Sequence, residues 1–364
     1  MRTLENAFAN ALLADATYAL KNSSLDGLTG SFLANDLDLK GRMTPELAKY
    51  LGDHYTVVNH IETGDVLGSG FDATVWRENS TGKLTVSMQG TSGLQDFLRD
   101  ADLAVTGNAR SQIVDMVNWW FKITTPVGQN ARQIALTPVY DNSTPPIELG
   151  TQYTAALDVP GTGLISASNL IGGIEVNGHS LGGYLASAFT RLFGNQANVA
   201  HTSTFNSAGF APGSEPVFTN LQNLIGVSYG LGRFPSQSQQ TNYFAKHGLN
   251  VTTNSFWFSQ QGQRIELFNE ASTAQLPNHF MYRLTDTLAL GNAMSQLDTS
   301  VDTARMNLIL SASSNRTEAS VEYVFDALLR ALKGPAIFRT TVGDASDSAT
   351  TRLDYHAALS ALQQ

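Results

Sequence analysis

One ten-residue run constrains this chain more than any other: Ile174-Glu175-Val176-Asn177-Gly178-His179-Ser180-Leu181-Gly182-Gly183. A short β-prone run leads in, and a helical pattern leads out with Leu181, Leu185, Phe189 and Leu192 on one face. Between them stands Gly-x-Ser-x-Gly, the signature of a strand-to-helix turn so tight that side chains at Gly178 and Gly182 would collide with the flanking elements. Ser180 is then held at the tip with its hydroxyl exposed. The N-terminus of the following helix offers unpaired N–H groups and partial positive charge where an oxyanion would form, and the Leu181 N–H is the expected donor. The run therefore predicts a serine nucleophile on an α/β framework.

The rest of the chain supplies such a framework. Residues 1–56 read mainly as helix, with Leu4, Phe8, Leu12 and Leu13 at helical spacing and a second start at Thr44-Pro45-Glu46. From Tyr55 the period changes: Tyr55–Val58, Ala73–Trp76 and Leu84–Met88 are β-rich, the last two separated by the turn Asn79–Gly82. Helical spacing returns over 111–123, followed by strand Ile174–Asn177, helix 181–193 and a β run at 202–206. Strands interleaved with helices predict a mostly parallel central sheet covered on both sides, with helical N- and C-terminal segments. Residues 230–241, rich in Gly, Ser and Gln, read as an exposed loop. The expected division is one catalytic domain over 1–364: a helical segment 1–56, a core 57–290 and a helical segment 291–364.

Composition narrows the chemistry. Of 364 residues, 22 are basic and 31 acidic, a formal charge of −9, which argues against nucleic acid or anionic lipid held by charge. At 42 % hydrophobic and 15 % charged, the chain has ample core material and is not a disordered polymer. It has no cysteine, which excludes disulfides, thiolate metal sites and cysteine nucleophiles. No stretch reaches the roughly 20 apolar residues of a membrane span. The N-terminus carries Glu5 and Asp15 without a signal-like apolar run, so no cleaved secretory signal is expected there. Asp36-Leu37-Asp38 with Gly41 starts like a calcium loop but lacks the remaining ligands, and no metal or cofactor is expected in the chemistry.

A serine hydroxyl needs a base within hydrogen-bond reach. After Ser180 the histidines are His201, His247, His279 and His356. His201 falls in a strand directly after the nucleophile helix. His279 follows the loop Leu276-Pro277-Asn278 and precedes the helical Met281–Leu290, a placement that can lean back over the nucleophile, and it is the expected base, with His247 and His356 as rivals. Between Ser180 and His279 there is no aspartate; the carboxylates there are Glu215, Glu266 and Glu270.

Val86-Ser87-Met88-Gln89-Gly90-Thr91-Ser92, followed by Asp96-Phe97 and Asp100, resembles the strand end of class 3 lipases, the fungal-lipase-like group with the α/β-hydrolase fold. With GHSLGG, TFNSAGF (204–210) and Asn278-His279 it is similar to the catalytic module of bacterial secreted lipases and phospholipases A1 that often precede RTX calcium-binding repeats, over roughly residues 40–290. The glycine-rich nonapeptides of such repeats do not occur in the chain. The resemblance implies that the Thr91 backbone N–H is a second oxyanion donor beside Leu181. It implies an orienting aspartate after the penultimate strand, where this chain places Asn250; Asn250 and Glu270 stand nearly even for that role, with Glu266 behind them. It also implies a mobile cover over the site, for which Gly93–Val105 and the Trp119-Trp120-Phe121 cluster are the candidates. Core packing of an amphipathic helix is the favoured reading of Trp119 and Trp120, but adjacent side chains cannot both face one core, so one of them is a candidate for the surface or an acyl cleft.

The function expected from motif and resemblance together is hydrolysis of lipid esters at an oil or membrane interface, as a triacylglycerol lipase or phospholipase A1. A serine peptidase or thioesterase, and a non-catalytic binding module keeping the fold, are the alternatives. The resemblance implies a secreted protein; the absence of cysteine also suits the cytoplasm.

Overall fold

The structure is a computed structural model that describes residues 3–20, 25–39, 43–64, 69–90, 108–207, 209–210, 214–226, 238–247, 260–269, 279–314, 320–334 and 353–363. Its helices are α1 (Leu4–Thr17), α2 (Gly30–Leu39), α3 (Pro45–His54), α4 (Asn108–Thr124), α5 (Ala167–Leu170), α6 (Leu181–Phe193), α7 (Ser214–Ile225), α8 (Met281–Leu297), α9 (Thr303–Ser313), α10 (Ser320–Lys333) and α11 (Leu353–Gln363). The central sheet uses β1 (Tyr55–Glu62), β2 (Asp72–Glu78), β3 (Leu84–Met88), β6 (Ile174–His179), β7 (Val199–Phe205), β8 (Gln240–Ala245) and β9 (Gln263–Leu267), side by side in that order. A separate ribbon pairs β4 (Asn130–Tyr140) with β5 (Glu148–Pro160).

The sheet changes character at β3. β1, β2 and β3 pair antiparallel, the β2–β3 reversal closed by Gly82 N–H donating to the Glu78 carbonyl at 2.8 Å with Gly82 at φ 72°. From β3 to β9 every pairing is parallel. Parallel strands need helical crossovers on their faces, and those crossovers bury them. All six residues of β6 are buried accordingly.

The period of two along the strands divides the core into two layers. Val75, Val86, Ile174 and Val176 pack with Trp120 of α4 and Leu185 and Phe189 of α6. Trp76, Phe205 and Tyr243 face the other way, against α1, α8 and the C-terminal helices through Leu12, Leu284, Leu288 and Phe325. This is the expected α/β class: a mostly parallel sheet flanked by helices, of α/β-hydrolase type, with helices at both ends of the chain. Among the described residues no helix is long and apolar enough to cross a membrane.

Three local expectations change. The ribbon β4–β5 is not foreseen by periodicity, because its strands mix Ala, Thr, Gln and Pro and are largely exposed on both faces. It is moored to α4 by Asn118, whose amide brackets the Ile134 backbone at 2.9 and 2.8 Å. β9 is short and partly exposed and carries no sequence signal of its own. The predicted loop 230–241 loses its last two residues to β8, and 227–237 lie outside the described residues.

Candidate active site

β6 carries Glu175, Asn177 and His179 on its α1 face, where Asn177 bonds Asn10 at 3.0 Å and His179 meets Tyr18. Immediately after β6 the chain turns into α6 through Ser180, at φ 57° and ψ −125°. A non-glycine residue held there carries backbone strain that the surroundings must enforce. The glycines enforce it. A methyl group on Gly178 would fall on the Gly182 carbonyl, one on Gly182 would fall on the Met88 carbonyl, and one on Gly183 would lie 2.5 Å from the Ser207 Cβ. The Ser180 N–H is meanwhile fixed on the Phe205 carbonyl at 2.9 Å.

The structure brings Ser180 and His279 together. His279 Nε2 lies 3.0 Å from Ser180 Oγ, and both residues are covered, Ser180 3 % and His279 2 % exposed, so the serine expected with an exposed hydroxyl is buried beside its base instead. A hydroxyl donating to Nε2 leaves the other ring nitrogen, Nδ1, to carry the hydrogen in the neutral imidazole. The arrangement can transfer the serine proton to His279 as Oγ attacks an electrophilic carbon. Leu181 is the first residue of α6, so its N–H has no partner within the helix and lies beside the nucleophile.

Sequence reasoning missed the scaffold that holds the pair. The Gly90 N–H, at the end of β3, donates to Tyr18 Oη at 2.9 Å, and Tyr18 Oη lies 2.9 Å from His179 Nδ1. On the far side of that ring, His179 Nε2 lies 2.8 Å from the His279 carbonyl. A carbonyl only accepts, so Nε2 carries the proton and the Tyr18 hydroxyl donates to Nδ1. One directed chain thus runs from the end of β3 through α1 to the backbone of His279. Asn206, at φ 43°, adds a second tether: its amide donates to the same carbonyl at 2.9 Å, and its Oδ1 accepts the Ala245 N–H at 2.9 Å. The residue before the serine in GHSLG and the asparagine of TFNSAGF were signals for two members of this scaffold. Nothing local marked Tyr18.

The rival histidines lie elsewhere. His201, on β7, bonds Thr241 at 3.0 Å. His356 Nε2 lies 2.8 Å from Asp286 Oδ1 and its Nδ1 lies 2.8 Å from Thr44 Oγ1, fastening α11 to α8 and α3. The His247 N–H is taken by Asn269 at 2.8 Å. Glu266 is exposed on the outer strand β9. Thr91, Asn250, Glu270 and Gly93–Val105 lie outside the described residues.

Both tryptophans pack in the core, Trp119 4 % and Trp120 1 % exposed, so neither lies at the surface. α4 is covered on two sides, so two adjacent indoles both find cores. Trp120 packs edge-on to Phe189 of α6 at 4.8 Å, while Trp119 meets Phe71 at 5.8 Å and donates its Nε1–H to Asn59 Oδ1 at 2.6 Å. Four residues past the nucleophile on α6, Tyr184 meets Phe210 at 5.0 Å between centroids, and Phe210 in turn meets Phe218 at 5.3 Å. Burial pushes the Tyr184 phenol above its ordinary value, and burial likewise pushes the neighbouring Tyr153 up to about 12.

No protein-family model and no curated protein sequence matches the chain. Solved structures do. The Lip2 lipase of Yarrowia lipolytica is 13 % identical over 73 % of this chain and 78 % of its own, with a TM-score of 0.35. A lipase from Rhizopus microsporus var. chinensis is 11 % identical over 75 % of this chain and 76 % of its own, at 0.35. A triacylglycerol lipase from Penicillium expansum is 12 % identical over 73 % of this chain and 80 % of its own, at 0.34.

Proposed function

We propose that the chain is a serine carboxylic-ester hydrolase acting on lipid esters, as a triacylglycerol lipase or phospholipase A1. The observation that carries the proposal is Ser180 Oγ at 3.0 Å from His279 Nε2, on a serine held at φ 57°. Ser180 Oγ attacks the ester carbonyl carbon as its proton passes to His279 Nε2. The carbonyl oxygen becomes an oxyanion that the Leu181 N–H, and in this proposal the Thr91 N–H, stabilise. The C–O bond to the alcohol breaks and His279 returns its proton to the leaving oxygen. Water, giving a proton to His279, then attacks the acyl carbon, and as the bond to Ser180 Oγ breaks His279 returns that proton to Oγ, releasing the fatty acid.

Asn250 or Glu270 is proposed to orient His279 through Nδ1. The lipid preference rests on the sequence resemblance and on the apolar and aromatic side chains Leu181, Tyr184 and Phe210 around the start of α6. The same resemblance carries the proposal that the protein works outside the cell, which recovery of the activity from culture medium tests. The decisive experiment measures release of fatty acid from tributyrin and from phosphatidylcholine by wild type, Ser180→Ala, His279→Ala, Asn250→Ala and Glu270→Ala. Loss of all turnover in the first two variants, and partial loss in one of the last two, is the expected pattern. Unchanged turnover in Ser180→Ala removes the proposal.

A further inference from the structure

The ribbon β4–β5 reaches past the end of the molecule where the nucleophile sits. Trp120 of α4 packs on Phe189 and Phe193 of α6 at 4.8 and 6.3 Å, so the later turns of the two helices lie together. Arg110, near the start of α4, is in electrostatic reach of Tyr184, near the start of α6. Both helices therefore begin at one end, where Ser180 opens α6. The ribbon folds back along α4: Asn118 holds Ile134, and nearer the helix start Arg110 Nη1 donates to the Thr151 carbonyl at 3.1 Å. Thr151 pairs with Pro138, and β4 runs on for two more residues, about 7 Å, before the connecting loop. The hairpin end thus projects beyond the N-terminus of α4 on the Ser180 side.

That end is apolar and already shaped. Tyr140, Ile147 and Leu149 are 54, 60 and 68 % exposed. Single apolar side chains are normal on a surface, but three gathered at one hairpin end form a patch. A bulge gathers them: Tyr140 pairs with Glu148 while Val139 pairs with Gly150, leaving Leu149 as the extra residue. The loop needs no ordering when it binds. The Asp141 N–H donates to the Ile147 carbonyl at 2.9 Å, and Asp141 Oδ1 accepts the N–H groups of Ile147 and Ser143 at 2.8 and 3.1 Å. Charge separately narrows the partner. Residues 133–157 hold Asp141 and Glu148 and no lysine or arginine, in a chain of net charge −9. Anionic lipid repels such a tip, whereas a zwitterionic surface offers ammonium groups to its two carboxylates. Tyr140, an apolar ring with a polar end, suits the depth where headgroups meet acyl chains.

We propose that the hairpin end of β4–β5 is a docking surface for a zwitterionic phospholipid bilayer, with Tyr140, Ile147 and Leu149 entering the headgroup boundary and Asp141 and Glu148 staying among the headgroup ammonium ions. Docking there turns the Ser180 end of the sheet toward the lipid. The choice of lipid as the occupant rests on the lipid-ester reading of Ser180.

Flotation with phosphatidylcholine vesicles tests the surface, on the Ser180→Ala chain so that no lipid is cleaved. A partition coefficient of about 10³ M⁻¹ or more is expected, with half the protein bound at about 1 mM lipid. Ile147→Ser combined with Leu149→Ser is expected to lower it by about 20-fold or more at unchanged melting temperature, because two side chains no longer leave water. Leu157→Ser, which removes a leucine 92 % exposed nearer the base of the ribbon, is expected to bind as before. No binding up to about 10 mM lipid, undiminished binding by the double variant, or an equal loss in Leu157→Ser would each overturn the assignment. So would tighter binding to phosphatidylglycerol vesicles, binding to trioctanoin droplets alone, or a dimer in light scattering that the double variant abolishes. The two proposals fail separately. Hairpin-dependent vesicle binding by a wild-type chain that releases no fatty acid upholds the surface and removes the hydrolase reading, and ester hydrolysis without vesicle binding does the reverse.

Discussion

Tyr18→Phe removes one oxygen atom and tests the scaffold behind the reacting pair. The hydroxyl accepts the Gly90 N–H and donates to His179 Nδ1, both at 2.9 Å. Without it a buried backbone N–H and a buried imidazole nitrogen lose this partner, at about 1–3 kcal/mol each when no replacement is found. Tyr18 is itself half-buried, so water reaches part of the vacancy, and the expected destabilisation is about 2–4 kcal/mol. The kinetic effect follows from what the hydroxyl joins. Gly90 precedes the proposed oxyanion donor Thr91, and His179 holds the carbonyl of the proposed base. Loosening both is expected to lower kcat on a soluble ester such as p-nitrophenyl butyrate by about 10- to 100-fold, in line with the cost of sub-ångström misplacement. KM should change far less, because the hydroxyl touches no substrate. Steady-state kinetics and thermal melting on the same preparation separate the two effects. A variant with lowered melting temperature and kcat within twofold of wild type would show that the tyrosine only packs α1 against the sheet, and the positioning argument would fail.

Other expectations follow from the same contacts. Gly182→Ala places a methyl group against the Met88 carbonyl, which is backbone and cannot yield, so a loss of soluble folded protein or at least about 3 kcal/mol of stability is expected by denaturant unfolding. Trp120→Ala should cost about 3–5 kcal/mol by vacating the space against Phe189 and Phe193, yet leave the ratio of activities on emulsified and monomeric esters unchanged; a shift in that ratio would return the residue to the substrate cleft. The phenols of Tyr50, Tyr55, Tyr153 and Tyr184 are all raised by burial, so they stay protonated in the fold while those of the unfolded chain ionise near pH 10. Their contribution to stability is therefore fully present below about pH 10 and is lost as pH rises toward 12 and beyond. Absorbance at 295 nm should rise on unfolding at pH 11, and its absence would show these rings already ionised in the fold.

Where the physics is local, the sequence was sufficient. The elbow at Ser180 needs glycine at 178, 182 and 183 because of atoms within a few residues or on the adjacent strand, and those requirements are concentrated in one contiguous string. The alternation of Val75 and Trp76 between two core layers, and the single apolar face of α6, are likewise local patterns. The expectation that His279 is the base rests on a loop-then-helix signature rather than on any contact. What stayed hidden depends on distance along the chain. Tyr18 meets partners 72 and 161 residues away, and no local pattern distinguishes it from any tyrosine at a helix end. The ribbon β4–β5 is a partly solvated hairpin held by its own ladder, by Asn118 and by Ala131 and Ile134 in the core, too few buried positions to set an apolar period. Trp119 and Trp120 are both buried because α4 has two covered faces, which the period of one apolar face does not show.

Covalent labelling with a fluorophosphonate reads the proposed nucleophile directly. Incubation of the native protein, tryptic digestion and mass spectrometry should locate a single adduct on Ser180, with labelling abolished in Ser180→Ala and slowed by about 10³-fold or more in His279→Ala. A folded wild-type chain that takes up no label, or that labels as readily after Ser180→Ala, would contradict the proposed chemistry.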